Sequence, residues 1–349
     1  MTIISKMKKN NPSPKILFRT SGGMAKGKEL GFGHIFRSAN LASFFKNSNM
    51  AFLIEDFGQA KKTLESKKFK NISILTKNIS LDDDIKKTKS FIQNHDIEIL
   101  IIDKYKTKPR FVKELKKYVK VVVISDLTNI DYDSDLLFNG FIGFKNKIIK
   151  NRFGTKCFLG PNYQILNKIF SNKSKFKKKY DLLSTFGGFD EKHISDKLIQ
   201  ALSNYTHDMN VKIIQGSFLG NKKIQKSILN KHISLKIIKI SKNIQKDFLQ
   251  SKFVICSGGI TTYELAAKKI PFAIICQNKH QLITAKEWEK LGIAVNLGIV
   301  NKQSQNDILK LLINIKEKNI HLKKLSKNIV DGLGGSRVYN EIINNCYKH

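Results

Sequence analysis

The stretch "KFVICSGGITTYELAAKKIPFAIIC", residues 252–276, decides the fold. A near-continuous apolar run ends in Ser257-Gly258-Gly259. A helix-forming segment then opens with Thr261 and Thr262, and Pro271 starts a second apolar run. Apolar runs without polar alternation are strands buried on both faces. A helix between two of them is the crossover of a parallel sheet.

The same alternation extends in both directions. Strands are predicted at 180–186, 211–216, 234–240, 252–257 and 271–276, with helices over 190–204, 243–250, 261–269 and 280–291. An earlier series places strands at 15–19, 50–55, 71–76, 98–103 and 119–125, with helices over 34–46, 82–94 and 109–118. The lysine-rich "NKSKFKKKY" (172–180) separates the two series. The expected architecture is α/β, with two Rossmann-like domains and a cleft between them: 15–170 and 178–320. A lead-in over 1–14 and a terminal helix within 321–349 flank them. The 349 residues suffice for two cores of ordinary size.

Composition narrows the function. The formal net charge is +35, but only five of the 63 Lys and Arg residues are arginine (Arg19, Arg37, Arg110, Arg152 and Arg337). Nucleic-acid grooves lean on arginine for bidentate contacts. The lysines are spread along the whole chain, so a solvated basic surface is expected rather than a specific nucleic-acid site. A weak contact with anionic membrane surfaces stays open. Cys157, Cys256, Cys276 and Cys346 show no metal-ligand spacing and no disulfide framework. No metal or cofactor is expected. The sequence has no apolar run long enough for a membrane span, and "MTIISKMKKNNPSP" is not a signal peptide, so a cytoplasmic location is expected.

Ligands of parallel sheets bind beyond the carboxyl ends of the strands. There, Gly258 and Gly259 precede a helix start whose free N–H groups suit a phosphate, and the Thr261 and Thr262 hydroxyls can add bonds. Glu264 lies one turn in, within reach of a ribose hydroxyl; Thr261-x-x-Glu264 is equally a capping box. Gly187-Gly188 end another strand, and Asp190 is either part of the same diphosphate loop or a helix cap. Asn278, His280 and Gln281 are uncharged polar groups suited to sugar hydroxyls, or plain loop residues. From the first series, Asp103, followed by Lys104 and Tyr105, and Ser125-Asp126 close strands. In "LGFGHIFRSANLA" (30–42), Gly31 and Gly33 precede His34, where a turn or a close approach to another molecule is needed.

The segments "ILFRT…GFGHIFRSANLA", "LIIDKY", "FGGFD" and "SGGITTYELAAKKIPFAIICQNKHQ" fall in order and at suitable spacing over residues 15–300. Together they resemble the UDP-sugar hydrolases of pseudaminic acid biosynthesis (PseG) and the related spore-coat polysaccharide biosynthesis proteins. Nucleotide-sugar glycosyltransferases of the MurG type are wider relatives. The resemblance implies a GT-B fold and metal-free hydrolysis of a UDP-diacetamido-trideoxy sugar to free sugar and UDP. It implies His34 as the essential histidine, Gly33 before it, and Asp103 with Tyr105 as the Asp-x-Tyr of the cleft. It also implies Gly187 and Gly188 as the first phosphate loop, Glu264 as ribose ligand and Gln281 near the sugar or diphosphate. Arg37 and Gly31 join the substrate-binding set as neighbours of His34. The loop "SGGMAKGKEL" (21–30) is longer than the family's, which leaves sugar identity open and keeps a glycosyltransferase as the alternative.

In this reading UDP leaves as a stable anion, the glycine loops hold the diphosphate, and a neutral His34 at a helix start takes the proton of the attacking water. The helix dipole disfavours a second proton on that imidazole.

Overall fold

The computed structural model describes residues 14–23, 31–46, 49–188, 190–216, 231–317, 322 and 329–347. Most of the lead-in and residues 24–30 of the long loop lie outside the described residues.

The first apolar series forms β1 (Ile16–Gly22), β2 (Met50–Asp56), β3 (Ile72–Leu75), β4 (Ile99–Asp103) and β5 (Lys120–Ile124). Three further strands follow: β6 (Leu136–Asn139), β7 (Lys147–Lys150) and β8 (Lys156–Leu159). They make one sheet in the order β3-β2-β1-β4-β5-β6-β8-β7. All its pairs are parallel except β7 with β8. The second series forms β9 (Tyr180–Thr185), β10 (Met209–Ile214), β11 (Ile233–Ile238), β12 (Ser251–Cys256), β13 (Phe272–Cys276) and β14 (Ala294–Ile299). Their order is β11-β10-β9-β12-β13-β14, parallel throughout. In both sheets the winding reverses beside the first strand, between β1 and β4 and between β9 and β12. A crevice opens at such a reversal.

Helices cover both faces. In the first domain they are α1 (Gly33–Ala42), α2 (Ala60–Ser66), α3 (Leu81–Asn94) and α4 (Pro109–Leu115). In the second they are α5 (Ile194–Ser203), α6 (Ile244–Leu249), α7 (Thr261–Ala267), α8 (Lys279–Lys290) and α9 (Ser304–Lys316). Local sequence sets their starts. Ser80 accepts the Asp83 N–H at 3.1 Å, and Asp82, Asp83 and Asp84 sit in the first turn of α3, where the helix dipole favours negative charge. Pro109 takes the first turn of α4, where its missing N–H costs nothing. The predicted helix 190–204 starts four residues late, at Ile194. Asp190 stays outside and caps it, accepting the Ile194 and Ser195 N–H groups, each at 2.8 Å.

Strands β6–β8 and β14 and helices α2 and α9 lie beyond the elements that the sequence pattern predicts. Strand β7 reads Lys-Ile-Ile-Lys on the rim, and β14 contains Asn296 and a left-handed Gly298. Edge strands need neither continuous apolar character nor alternation. The C-terminal α10 (Gly334–Ile342) returns to the first domain, where Val338 and Ile342 join the core of Ile16, Phe18 and Phe158. Tyr339 packs edge-on to Phe45, ring centroids 4.8 Å apart.

One charge cluster lies inside the first domain. Arg19 on β1 is 0% exposed. Its Nε and Nη2 donate to Asp84 at 2.9 and 2.8 Å, and Lys104 Nζ donates to the same carboxylate at 2.5 Å. Burial opposes the charge on Asp84, but the two cations outweigh it and its pKa is lowered. We expect Asp84→Ala to cost about 3–5 kcal/mol at pH 7, because the buried guanidinium and Lys104 both lose their nearest counter-charge and Arg19 keeps only Glu55, 3.6 Å away. A carboxylate with a lowered folded pKa stabilises above its unfolded value of about 3.9 and stops doing so as pH falls through the folded value. The difference between Asp84→Ala and wild type in urea unfolding should therefore shrink below about pH 4.

Candidate functional site

The site begins at the end of β4. Asp103 is 1% exposed, and its Cα pairs across to Thr20 of β1. Beta-sheet alternation puts its carboxylate on the face covered by α1. That helix starts at Gly33, so His34 is its second residue and Arg37 and Ser38 lie one turn on. His34 Nδ1 is 2.7 Å from Asp103 Oδ1. Arg37 grips the same carboxylate with Nε at 2.8 Å and Nη2 at 2.6 Å. Its Nη1 donates to Asp126 Oδ1 at 2.5 Å, beyond the end of β5.

Charge assigns the protons. Burial raises the pKa of Asp103, but Arg37 and the His34 contact lower it further, and the net direction is down. Asp126 is likewise held well below the usual carboxylate range: burial works against ionisation, while Arg37, His34 and His280 favour it. Two carboxylates raise the pKa of Arg37 against burial. An ionised Asp103 can only accept, so Nδ1 carries the histidine proton and Nε2 keeps a lone pair in the neutral ring. Nε2 lies 3.8 Å from Asp126 Oδ2, too far for a hydrogen bond. The half-buried imidazole thus offers an oriented base. Asp126, named in the sequence as a strand-end residue, belongs to this cluster; the Ser-Asp ending of a strand was its only signal.

Gly31 and Gly33 have no left-handed φ, and a methyl on either would meet no described atom within 4 Å. No described protein neighbour demands these glycines. Tyr105 lies two residues past Asp103, and its N–H donates to Ser21 Oγ at 3.4 Å.

Across the crevice, Gly187 has φ +84°, and a Cβ there would meet no described atom within 4 Å. Gly188 follows, and Phe189 lies outside the described residues. Asp190 is spent as the α5 cap described above. Gly258 has no room for a side chain: a Cβ would sit 2.6 Å from the Gln281 carbonyl oxygen. This close approach seats the head of α8 against the β12–α7 loop. Gly259 faces open space, and Thr261 begins α7. Thr262 does not offer its hydroxyl to a ligand: Oγ1 donates to the Gly259 carbonyl at 2.8 Å and accepts from Trp288 Nε1 at 3.0 Å. Asn278 caps α8, accepting the Gln281 N–H at 3.0 Å, and Gln281 Oε1 accepts the Gln277 N–H at 2.8 Å. These two side chains build the loop.

The capping box on α7 does not form. Ile260 is the N-cap, without a side-chain cap bond. The half-buried Glu264 carboxylate accepts no hydrogen bond from a described group; Lys67, at the end of α2 in the other domain, acts on it electrostatically. Likewise His280 of α8 acts on Asp126 of the first domain. The Tyr263 hydroxyl accepts the Ile142 N–H at 3.1 Å. These three pairings set the strand ends of the two domains opposite each other. Among the described residues, no group of three or more His, Cys, Asp or Glu side chains is arranged to hold a metal ion.

This arrangement matches known folds. The chain superposes on MurG of Acinetobacter baumannii with a TM-score of 0.67 over 95% of this chain and all of that one, at 12% identity. It superposes on UDP-GlcNAc 2-epimerase of Neisseria meningitidis bound to UDP-GlcNAc with a TM-score of 0.59, over 95% of this chain and all of that one, at 13% identity. The fold is GT-B. In sequence, the chain is 25% identical over 337 residues to the spore coat polysaccharide biosynthesis protein SpsG of Bacillus subtilis, covering 89% of this chain and 94% of that protein. It is 27% identical over 285 residues to the uncharacterized protein MJ1062 of Methanocaldococcus jannaschii, covering 76% of this chain but only 56% of that protein. No protein-family model matches the chain.

Burial pushes the Glu264 carboxyl up to about 7, with Lys67 pulling the other way. A folded pKa above the unfolded one means that the fold binds the extra proton, so stability falls as pH rises between the two values. Glu264→Gln removes that penalty. We expect it to stabilise the protein by about 1–2 kcal/mol at pH 8, after allowing for solvent screening, and by almost nothing at pH 4. Thermal unfolding at the two pH values checks this.

Proposed function

We propose that this chain is a nucleotide-sugar hydrolase. It cleaves a UDP-activated diacetamido-trideoxy sugar to the free sugar and UDP, in the biosynthesis of a nonulosonic acid of the pseudaminic type or of a surface glycan. The observation that carries the reading is the His34–Asp103 pair, whose Nδ1 contact leaves Nε2 outside hydrogen-bond range of Asp126, its carboxylate neighbour. The resemblance of the segments around His34, Asp103 and Glu264 to the PseG hydrolases supports it. So does a GT-B neighbour that holds UDP-GlcNAc.

The chemistry follows from the geometry. The N–H groups around Gly187, Gly188, Gly259 and Thr261 hold the diphosphate at the head of α7, where backbone donors suit an anion. Glu264, about half ionised near pH 7, accepts hydrogen bonds from the ribose hydroxyls. Water attacks the anomeric carbon while His34 Nε2 takes its proton, and the bond from that carbon to the UDP oxygen breaks. The electron pair leaves with UDP, whose terminal phosphate is a stable anion. Ionised Asp103 fixes the tautomer and stabilises the imidazolium that forms. Arg37 offsets the charge of the two carboxylates that flank the ring.

Transfer to an acceptor is the second reading, favoured by the similarity to MurG. It differs only in the nucleophile that His34 would deprotonate.

The test is UDP release from a panel of UDP-acetamido and UDP-diacetamido sugars, with EDTA and without acceptor. Release of UDP and free sugar is expected. It should be abolished in His34→Ala, with UDP affinity kept within about two-fold, because the base does not touch the nucleotide. Asp103→Asn should lower kcat by about 10²–10⁴-fold through loss of the tautomer. Glu264→Ala should weaken UDP binding and leave the chemical step intact. Tight UDP binding with no release would sink the hydrolase and leave the transferase.

A further inference from the structure

The linker between the domains carries a feature that the site does not use. No Asp or Glu occurs between Asp135 and Asp181. Residues 173–179 form an extended segment without helix or strand. It is pinned at both ends. The Asn172 carbonyl accepts Lys268 Nζ at 2.6 Å, the Lys179 N–H donates to the Gln250 carbonyl at 2.8 Å, and Lys178 Nζ donates to the Ser251 carbonyl at 2.6 Å. The pinned backbone holds Lys173, Lys175, Lys177 and Lys179 exposed to solvent. Phe176, in their midst, is 39% exposed. Lys246 of α6 lies over its ring at 5.7 Å and adds a further cation, as Lys268 does at the other end. Two carboxylates that follow the face or Lys246 in sequence are spent elsewhere: Asp181 pairs with Lys252, and Asp247 with Lys212.

We propose that this face, residues 172–179 with Lys246 and Lys268, docks the protein on an anionic lipid bilayer. Three observations select that partner. The cations are lysines, compact point charges that suit scattered headgroup phosphates, and the face has no arginine fork for bidentate contacts. A lone exposed aromatic can enter the interface region of a bilayer, whereas strand binding by stacking uses several in a row. The face lies at the start of β9, and the phosphate-loop glycines follow the other end of that strand. A strand of six residues spans roughly 20 Å, so a docked bilayer leaves the crevice open. No helix among the described residues is long and apolar enough to cross a membrane.

Co-sedimentation with vesicles of phosphatidylserine and phosphatidylcholine, mixed about 3:7, tests the proposal. The full chain should bind these vesicles and leave pure phosphatidylcholine vesicles unbound. The fourfold variant Lys173→Ala, Lys175→Ala, Lys177→Ala, Lys179→Ala should lose about 600-fold in affinity, each lysine near the surface being worth about a factor of five. Phe176→Ser should lose about ten-fold through the missing wedge. A control with the same net charge, Lys86→Ala, Lys87→Ala, Lys113→Ala, Lys145→Ala, removes exposed lysines elsewhere and should lose less than about three-fold. All these positions are exposed, and unchanged thermal unfolding shows that each variant folds. Equal losses in the two fourfold variants would mean that overall charge attracts the lipid, and the proposal fails. It also fails if a single-stranded oligonucleotide binds through the same four lysines more tightly than the vesicles do.

Discussion

A buried carboxylate shared by an imidazole and a guanidinium is the constraint on which the first domain's site depends. Asp103 could not stay ionised inside the protein on its own; a lone buried carboxylate neutralises instead. Arg37 holds it ionised, and that charge determines which nitrogen of His34 carries the proton. Arg37 must in turn come from one turn further along the same helix, so the spacing His34-x-x-Arg37 is dictated by the 3.6-residue period. Strand β4 must end beneath the head of α1 for all three groups to meet. The parallel sheet supplies that placement, since β1 leads into α1 and β4 lies beside β1.

The second domain is built on a different economy. Its strand ends carry backbone donors rather than charge, and its polar side chains are consumed in shaping loops. Asn278 caps α8, Asp190 caps α5, and Thr262 joins Trp288 to the Gly259 carbonyl. What faces outward is main chain, with Glu264 as the conspicuous exception. A carboxyl there costs stability, and an unsatisfied acceptor of that kind is a common mark of a binding site. One domain thus presents titrating side chains and the other presents amides.

Much of this was legible in the sequence, and for physical reasons. Strands buried on both faces are read directly as apolar runs, and the alternation with helices fixed two parallel sheets. Glycines after those runs marked the crevice. The edge strands escaped, because β7 and β14 lie on sheet rims where lysine, asparagine and glycine are tolerated. Short α2 carries too few buried positions for a periodic signal. Residues that end a strand could be listed, but not told apart. Asp103 and Asp190 look alike in sequence; one became the hub of a charge cluster and the other a helix cap, and only tertiary packing separates them. Arg37 looked like a substrate ligand, whereas the fold closes it on two carboxylates. Thr262 looked equivalent to Thr261 until Trp288, far along the chain, claimed its hydroxyl.

The return of α10 to the first sheet has a consequence for the order of assembly. Val338, Ile342 and Tyr339 complete the apolar layer that covers Phe18, Phe45 and Phe158. A ribosome delivers the strands of that layer long before it delivers their lid. The second domain has its whole sheet once β14 and α9 have emerged, and can close while the first still lacks a wall. The domain that begins the chain is therefore the later of the two to be finished.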